Sequence, residues 1–135
     1  MAQLIYEAAA RALQALGLYP GQLICVCLPD IPERQITFDA CVKLGIRMVW
    51  IDATKADTTV VRRLLLKSRA RVIVVVDWCI VAGRLLPTKA IVDRASVDAP
   101  DLLHIVVVKN LGKAISWLDG RDLSWDAFLD LASVV

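Results

Sequence analysis

An α/β fold with a mostly parallel sheet and helices on both faces is predicted by three features of the sequence. Short, nearly unbroken apolar runs of strand length recur at 23–28, 71–76 and 103–108, as expected of strands covered on both sides. The stretches between them carry apolar residues at helical spacing. Gly, Pro, Asp and Ser punctuate the joins, where helices start and stop.

Each element has its own signal. Leu4, Ala8, Ala9, Ala12, Leu13 and Leu16 repeat at helical spacing, and Gly17 is placed to stop that helix. Tyr19-Pro20-Gly21 reads as a tight turn, with Pro presetting φ and Gly accepting a positive one. The first strand, Leu23 to Leu28, follows. Asp30 and Glu33 form a start like a capping box, with Pro32 in the first turn of a helix that runs to Leu44 and Gly45. Arg47 to Ile51 is a second strand. Thr54 or Asp57 caps a third helix, in which Val60, Val61, Leu64 and Leu65 make the buried stripe. Arg71 to Val76 is the third strand. Pro87 opens a helix through Ala95, Asp98 to Asp101 is a loop, and Leu103 to Val108 is a fourth strand. After a turn at Gly112, Ile115-Ser-Trp117 suggests a short extra strand. Ser124 caps a last helix, with Trp125, Phe128, Leu129 and Ala132 facing inward.

The 135 residues suit a single α/β segment, 1–135, without repeats or a linker. Their apolar share is 58 %, above the roughly 45–50 % usual for soluble chains. Such a surplus points to apolar surface awaiting a partner layer. The formal net charge of +2 is too mild to argue for nucleic acid or an anionic membrane. Arg62, Arg63, Lys67, Arg69 and Arg71 form the densest basic patch and read as the solvated face and end of a helix, because no aromatics are interleaved. The longest apolar run, Val72 to Leu86, is interrupted by Asp77 and Arg84 and cannot span a bilayer. With no basic leader at the start, a soluble, cytoplasmic protein is expected.

Known catalytic patterns do not fit. The cysteines, Cys25, Cys27, Cys41 and Cys79, form no C-x-x-C pair and lie apart from the single His104, so neither metal nor disulfide use is expected. Cys25 and Cys27 point to one face of a strand, where small apolar residues pack. His104 lies in an apolar strand and reads as a packed structural histidine. The strand ends Leu28-Pro29-Asp30, Asp52-Ala53-Thr54, Asp77-Trp78-Cys79 and Lys109-Asn110 lie where open α/β sheets hold ligands. Three contain Asp, for which capping is favoured over catalysis. No G-x-G-x-x-G follows the first strand. Gly112-Lys113 is followed by Ala114, and Val107 stands where a P-loop needs its first Gly.

Four stretches, taken in order, resemble the AMP-forming acyl-coenzyme A synthetases of the acetate and propionate type. Leu16-Gly-Leu-Tyr-Pro-Gly21 with Leu28-Pro-Asp-Ile-Pro-Glu33 is similar to their "LG…G…V…(L/M)PMIPE" opening. Ala40-Cys41 with Leu44-Gly45 matches "ACARIGA". Val81-Ala-Gly-Arg-Leu-Leu-Pro-Thr-Lys89 is like "RGGK-x-IPLK". Val106-Val-Val-Lys109, Trp117-Leu-Asp-Gly-Arg-Asp122 and Trp125 are like "VIVVKRTG…W…GRD…W".

The resemblance implies the first part of the large N-terminal domain of an adenylate-forming enzyme. That enzyme joins a carboxylate to ATP, releasing pyrophosphate, and then passes the acyl group to the coenzyme A thiol with release of AMP. ATP and Mg²⁺ are held in the family by a Ser/Thr/Gly-rich loop ending in Pro-Lys, a Tyr-containing acidic motif, a ribose-binding Asp and a mobile C-terminal domain with a catalytic Lys. None of these occurs in these residues, so ATP and Mg²⁺ are not expected to bind here and no catalytic residue is assigned. One family site persists in part. The stretch that helps hold the phosphate on the adenosine end of coenzyme A aligns with Val81, Ala82, Gly83 and Arg84, and Arg84 keeps a guanidinium suited to phosphate. The first cationic position has become Val81. The family's "VFGGFS" reads Val49-Trp50-Ile51-Asp52-Ala53-Thr54, with side chains where glycines admit the coenzyme. A weak or lost coenzyme A site is therefore implied. The expected partner is the rest of a synthetase, or a second copy, met through exposed apolar surface. The rival readings are a non-catalytic interaction module that uses a sheet edge or face, and a flavodoxin-like small-ligand domain. The latter predicts a phosphate-gripping loop that the sequence does not offer.

Overall fold

Three runs of alternately directed apolar side chains make the centre of the molecule, seen in a computed structural model that describes residues 2–134 and the side chains of residues 5–133. They are β1 (Leu23–Cys27), β3 (Val72–Val76) and β6 (His104–Val108). All five residues of β3 are buried, as expected of a strand covered on both faces. With β2 (Arg47–Trp50) and β7 (Asp122–Ser124) they form one five-stranded sheet in the order β2-β1-β3-β6-β7. Every pairing in it is parallel, in register from Leu23 opposite Arg47 to Ile105 opposite Asp122.

Helices cover both faces. Helix α1 (Ala2–Ala15), α2 (Pro32–Leu44) and α5 (Trp125–Asp130) pack on one side, where Ala12, Leu13, Ala40, Cys41 and Phe128 meet Ile24, Val74 and Val106. Helix α3 (Thr58–Ser68) and α4 (Thr88–Ser96) pack on the other, where Val61, Leu65 and Val92 meet Cys25, Cys27, Ile73 and Ile105. The predicted α/β architecture is present, and the pleat assigns Cys25 and Cys27 to one face as expected. No described helix is long and apolar enough to cross a membrane.

The stop and turn signals act as their residue types require. Gly17 adopts φ 87° just after α1. Gly21 also has φ 87°, and the Gln22 N–H donates to the Tyr19 carbonyl at 3.1 Å, closing the predicted turn. Asp57, rather than Thr54, caps α3 by accepting from the Val60 N–H at 2.9 Å. Ser124 caps α5 through the Ala127 N–H at 3.0 Å.

Several expectations need correction. The N-cap of α2 is Ile31, without a side-chain bond, so Asp30 and Glu33 build no capping box; Pro32 at the helix start limits the orphan donors instead. Val60 is exposed rather than part of the inner stripe of α3. Ala132 lies beyond the end of α5, in a short 3₁₀ turn (Leu131–Val134). Residues 115–117 form no strand; the added strand is β7, five residues further on. Leu4, expected on the inner face of the first helix, lies outside the described side chains.

The segment before α4 departs most from expectation. β4 (Cys79–Val81) and β5 (Arg84–Leu86) pair antiparallel as a separate hairpin, with Ile80 opposite Leu85 and Val81 opposite Arg84. It leaves the carboxyl end of β3, beside the point where the chain order of the parallel sheet reverses between β1 and β3.

Candidate functional site

The residues aligned with the family's coenzyme-phosphate stretch occupy the tip of this hairpin. Ala82 and Gly83 are its two central turn residues, with φ 51° and 78°. Two positive φ values in succession are what a tight type I′ turn demands. Val81 is half-buried against the core, whereas Ala82, Gly83 and Arg84 are exposed. Arg84 has no salt bridge or hydrogen bond from its side chain to the described residues, so its guanidinium is available to an anion.

Glycine meets the turn's demand freely, but alanine in the left-handed region carries about 1–2 kcal/mol of strain. Ala82→Gly is expected to raise stability by about 0.5–1 kcal/mol after the unfolded chain's gain in freedom is subtracted. Urea unfolding of the two proteins measures this, and a loss of stability would show that the turn is not held in this form.

The base of the hairpin is pinned by short contacts. Cys79 Sγ lies 3.3 Å from Thr88 Oγ1 and 3.7 Å from the Ala53 carbonyl oxygen. The Lys89 N–H donates to the Asp77 carbonyl at 3.1 Å.

Lys89 continues inward and is fully buried. Its ammonium donates to both Asp93 oxygens at 2.8 and 2.9 Å and to the Ser116 carbonyl at 2.8 Å. Asp122 Oδ2 lies 2.9 Å away. Arg121 closes the set, donating from Nε to Asp122 Oδ1 at 2.7 Å and from NH2 to Asp93 Oδ1 at 2.8 Å. Two cations and two anions thus alternate around a joint with no net charge, in which Lys89 and Asp122 are buried and Asp93 and Arg121 are partly exposed. Burial alone would raise the Asp122 carboxyl, but Arg121, the Leu118 N–H and Lys89 outweigh it and hold it below the usual carboxylate range. Bonding to Asp122 correspondingly raises Arg121, with Asp93 adding to it. This joint brings together two motif stretches, Val81 to Lys89 and Trp117 to Asp122, that are far apart in sequence. Lys89, Asp93, Arg121 and Asp122 had no assigned role in the sequence reading. Only the i, i+4 spacing of Lys89 and Asp93 hinted at one.

Two of the three strand-end aspartates, Asp77 and Asp52, are also engaged, whereas the Asp30 side chain has no hydrogen bond or salt bridge among the described residues. Asp77 Oδ1 accepts from the N–H groups of Trp78, Asn110 and Leu111 at 2.6, 2.9 and 3.2 Å, and Oδ2 from Gly112 at 2.8 Å. Burial would raise its carboxyl, yet these four donors together hold it below the ordinary range. Asp52 accepts from the Thr54 N–H at 2.9 Å and hydroxyl at 2.6 Å; these bonds lower its carboxyl. Capping and loop-tying account for both, as the base preference suggested.

A cleft of about 480 Å³ opens at the ends of β1 and β2 beside Pro29, Asp30, Arg34 and Thr54. Trp50 forms its wall, 41 % exposed, with the Arg34 guanidinium 5.3 Å over its ring and the Phe38 ring 6.2 Å away. Ile51 and Asp52, which stand where the resembling stretch has its two glycines, line the same cleft. His104 is half-buried at the start of β6, and its Nδ1 is buried without a partner among the described residues. The four cysteines are buried thiols. Burial pushes Cys27 up to about 12, helped by Cys79, Cys25 and Asp52, and pushes Cys41 up to about 12. They serve packing rather than nucleophilic chemistry.

An open, doubly wound parallel sheet with its loops and hairpin gathered at the carboxyl end is the architecture in which α/β domains place their ligand sites. The chain belongs to the AMP-binding enzyme family, whose model matches residues 3–128. Among named relatives, acetyl-coenzyme A synthetase of Shewanella halifaxensis is 31 % identical over 92 % of this chain. The enzyme of the same name from Mycolicibacterium smegmatis is 32 % identical over 93 %, and that of Mycobacterium tuberculosis 34 % over 93 %. The chain spans 19 %, 13 % and 19 % of the lengths of these three proteins.

Proposed function

We propose that this chain, as one α/β unit from 1 to 135, supplies the opening portion of an acetate-type acyl-coenzyme A synthetase in the cytoplasm. In this reading Arg84 grips the phosphate on the adenosine end of coenzyme A. The observation that carries the reading is the free, exposed guanidinium of Arg84 at a tight turn, in register with the family's phosphate-holding stretch. Val81, with no charge to offer, leaves that grip with one cation. A lost charge-assisted contact is worth about 1.5–3 kcal/mol, so the site binds weakly.

The adenylation itself belongs to residues outside this set. In that step a carboxylate oxygen attacks the α-phosphorus of ATP, and the bond to pyrophosphate breaks. The negative charge that develops needs oriented N–H donors, a lysine and Mg²⁺. The strand-end groups here do not fit ATP with Mg²⁺, because Asp52 and Asp77 are committed to holding their own loops and leave Asp30 as a lone carboxylate there. By itself the chain is therefore non-catalytic. Acetate-dependent exchange of pyrophosphate into ATP is expected to stay at the blank rate, and exchange above it would overturn this part of the reading.

A second reading, a non-catalytic interaction module, draws support from the open outer edges of β2 and β7. Such edges invite pairing with another chain, whether the remainder of a synthetase or a second copy.

A further inference from the structure

A second cleft at the carboxyl end of the sheet, distinct from the hairpin tip, combines unpaired positive charge with apolar walls. It encloses about 210 Å³ beyond the ends of β6 and β7. Lys109 and Lys113 bring two cations to it, and Val107, Ile115 and Trp117 supply the walls. Neither lysine has an acidic partner within salt-bridge distance among the described residues. The nearest acid on the cleft wall, Asp77, is buried and already holds four backbone N–H groups, three of them from the very loop that bears these lysines. The carboxylate therefore fixes the loop.

Gly112 sharpens the arrangement. A Cβ added there would stand 3.1 Å from Lys109 Cε, so the bare glycine lets the Lys109 stem lie across the turn. The Trp78 indole N–H donates to the Ala114 carbonyl at 3.0 Å and ties down the far side of the same loop. Trp117 remains 45 % exposed, with its ring available to a ligand.

We infer that this cleft binds a small phosphate monoester with a planar apolar body. Two ammonium groups without salt-bridge partners match a dianion, the Asp77 carboxylate being turned to its own backbone donors, and the Val107, Ile115 and Trp117 walls match an aryl group. Neither half of such a ligand satisfies the cleft alone.

The test is titration of the chain with phenyl phosphate, followed by calorimetry and by amide and indole chemical shifts, with inorganic phosphate and phenol as half-ligand controls. Saturable one-site binding is expected, with shifts centred on Gly112, Lys113 and the Trp117 indole. A Lys109→Gln/Lys113→Gln variant, both positions being exposed, is expected to fold normally and to bind about tenfold more weakly or worse. Arg84→Ala is expected to leave this binding unchanged, which separates the cleft from the hairpin site. The inference is overturned by an absence of binding at millimolar ligand or by equal binding in the double lysine variant. Inorganic phosphate or phenol binding as tightly as phenyl phosphate would overturn it too.

Discussion

Replacing Lys89 by methionine is expected to cost about 3–5 kcal/mol of folding stability, because it removes one cation from a buried joint and leaves its partners in place. Total stabilities of domains lie near 5–15 kcal/mol, so the variant should unfold at far lower urea. Asp93 loses the ammonium that both its oxygens accept, the Ser116 carbonyl loses its donor, and Asp122 keeps only Arg121 and the Leu118 N–H. The loss should be partly recovered in a Lys89→Met/Asp122→Leu variant, since apolar replacement of a buried pair is far less costly than breaking it. Equilibrium urea unfolding of both proteins measures the effect. A loss below about 1 kcal/mol for Lys89→Met would place the joint among ordinary surface ion pairs and contradict its burial.

Asp77→Ala is expected to cost about 3 kcal/mol, because four backbone donors lose one acceptor and cannot all reach water. Asp77→Asn keeps one acceptor oxygen but turns an amide N–H₂ toward a neighbouring donor, so it should lie between. The pH dependence has a definite sign. The folded-state Asp77 carboxyl lies below its unfolded value, near 3.9. Its stabilisation is therefore complete above about pH 4 and is lost as pH falls through the lower folded value. Asp122 behaves alike and stays in the variant, so the Asp77 contribution is the difference between the curves. Wild type and Asp77→Ala should converge as pH drops from about 4 toward 2. Parallel curves over that window would mean that Asp77 does not carry its charge to these donors.

How much of this was legible depended on how local the cause was. The run Val72–Val76 has no polar interruption, and no partner is needed to read it as a doubly covered strand. Tyr19-Pro20-Gly21 likewise contains its whole turn. The hairpin had a usable signal in Ala82-Gly83 between Cys79-Ile80-Val81 and Arg84-Leu85-Leu86, but its strands are three residues each, and Pro87 drew attention to the helix start instead. β7 carries one apolar residue, Leu123, and pairs with β6 where Arg121 and Asp122 anchor it to α4. That anchor is a tertiary event invisible to any window. The same is true of the ionic joint, in which Lys89 from one motif stretch and Arg121 and Asp122 from another meet Asp93 of α4 only through the crossover. Arg84 was singled out by a residue-by-residue resemblance, whereas the turn that presents it and the strain at Ala82 needed the observed backbone.

The most direct test of the functional account is calorimetric titration of the folded chain with coenzyme A, beside dephospho-coenzyme A and an Arg84→Ala variant. Weak binding is expected, falling about tenfold or more when either the terminal phosphate or the guanidinium is removed. Absence of heat at millimolar coenzyme A, or binding indifferent to both changes, would contradict the assignment of Arg84 to the coenzyme's phosphate.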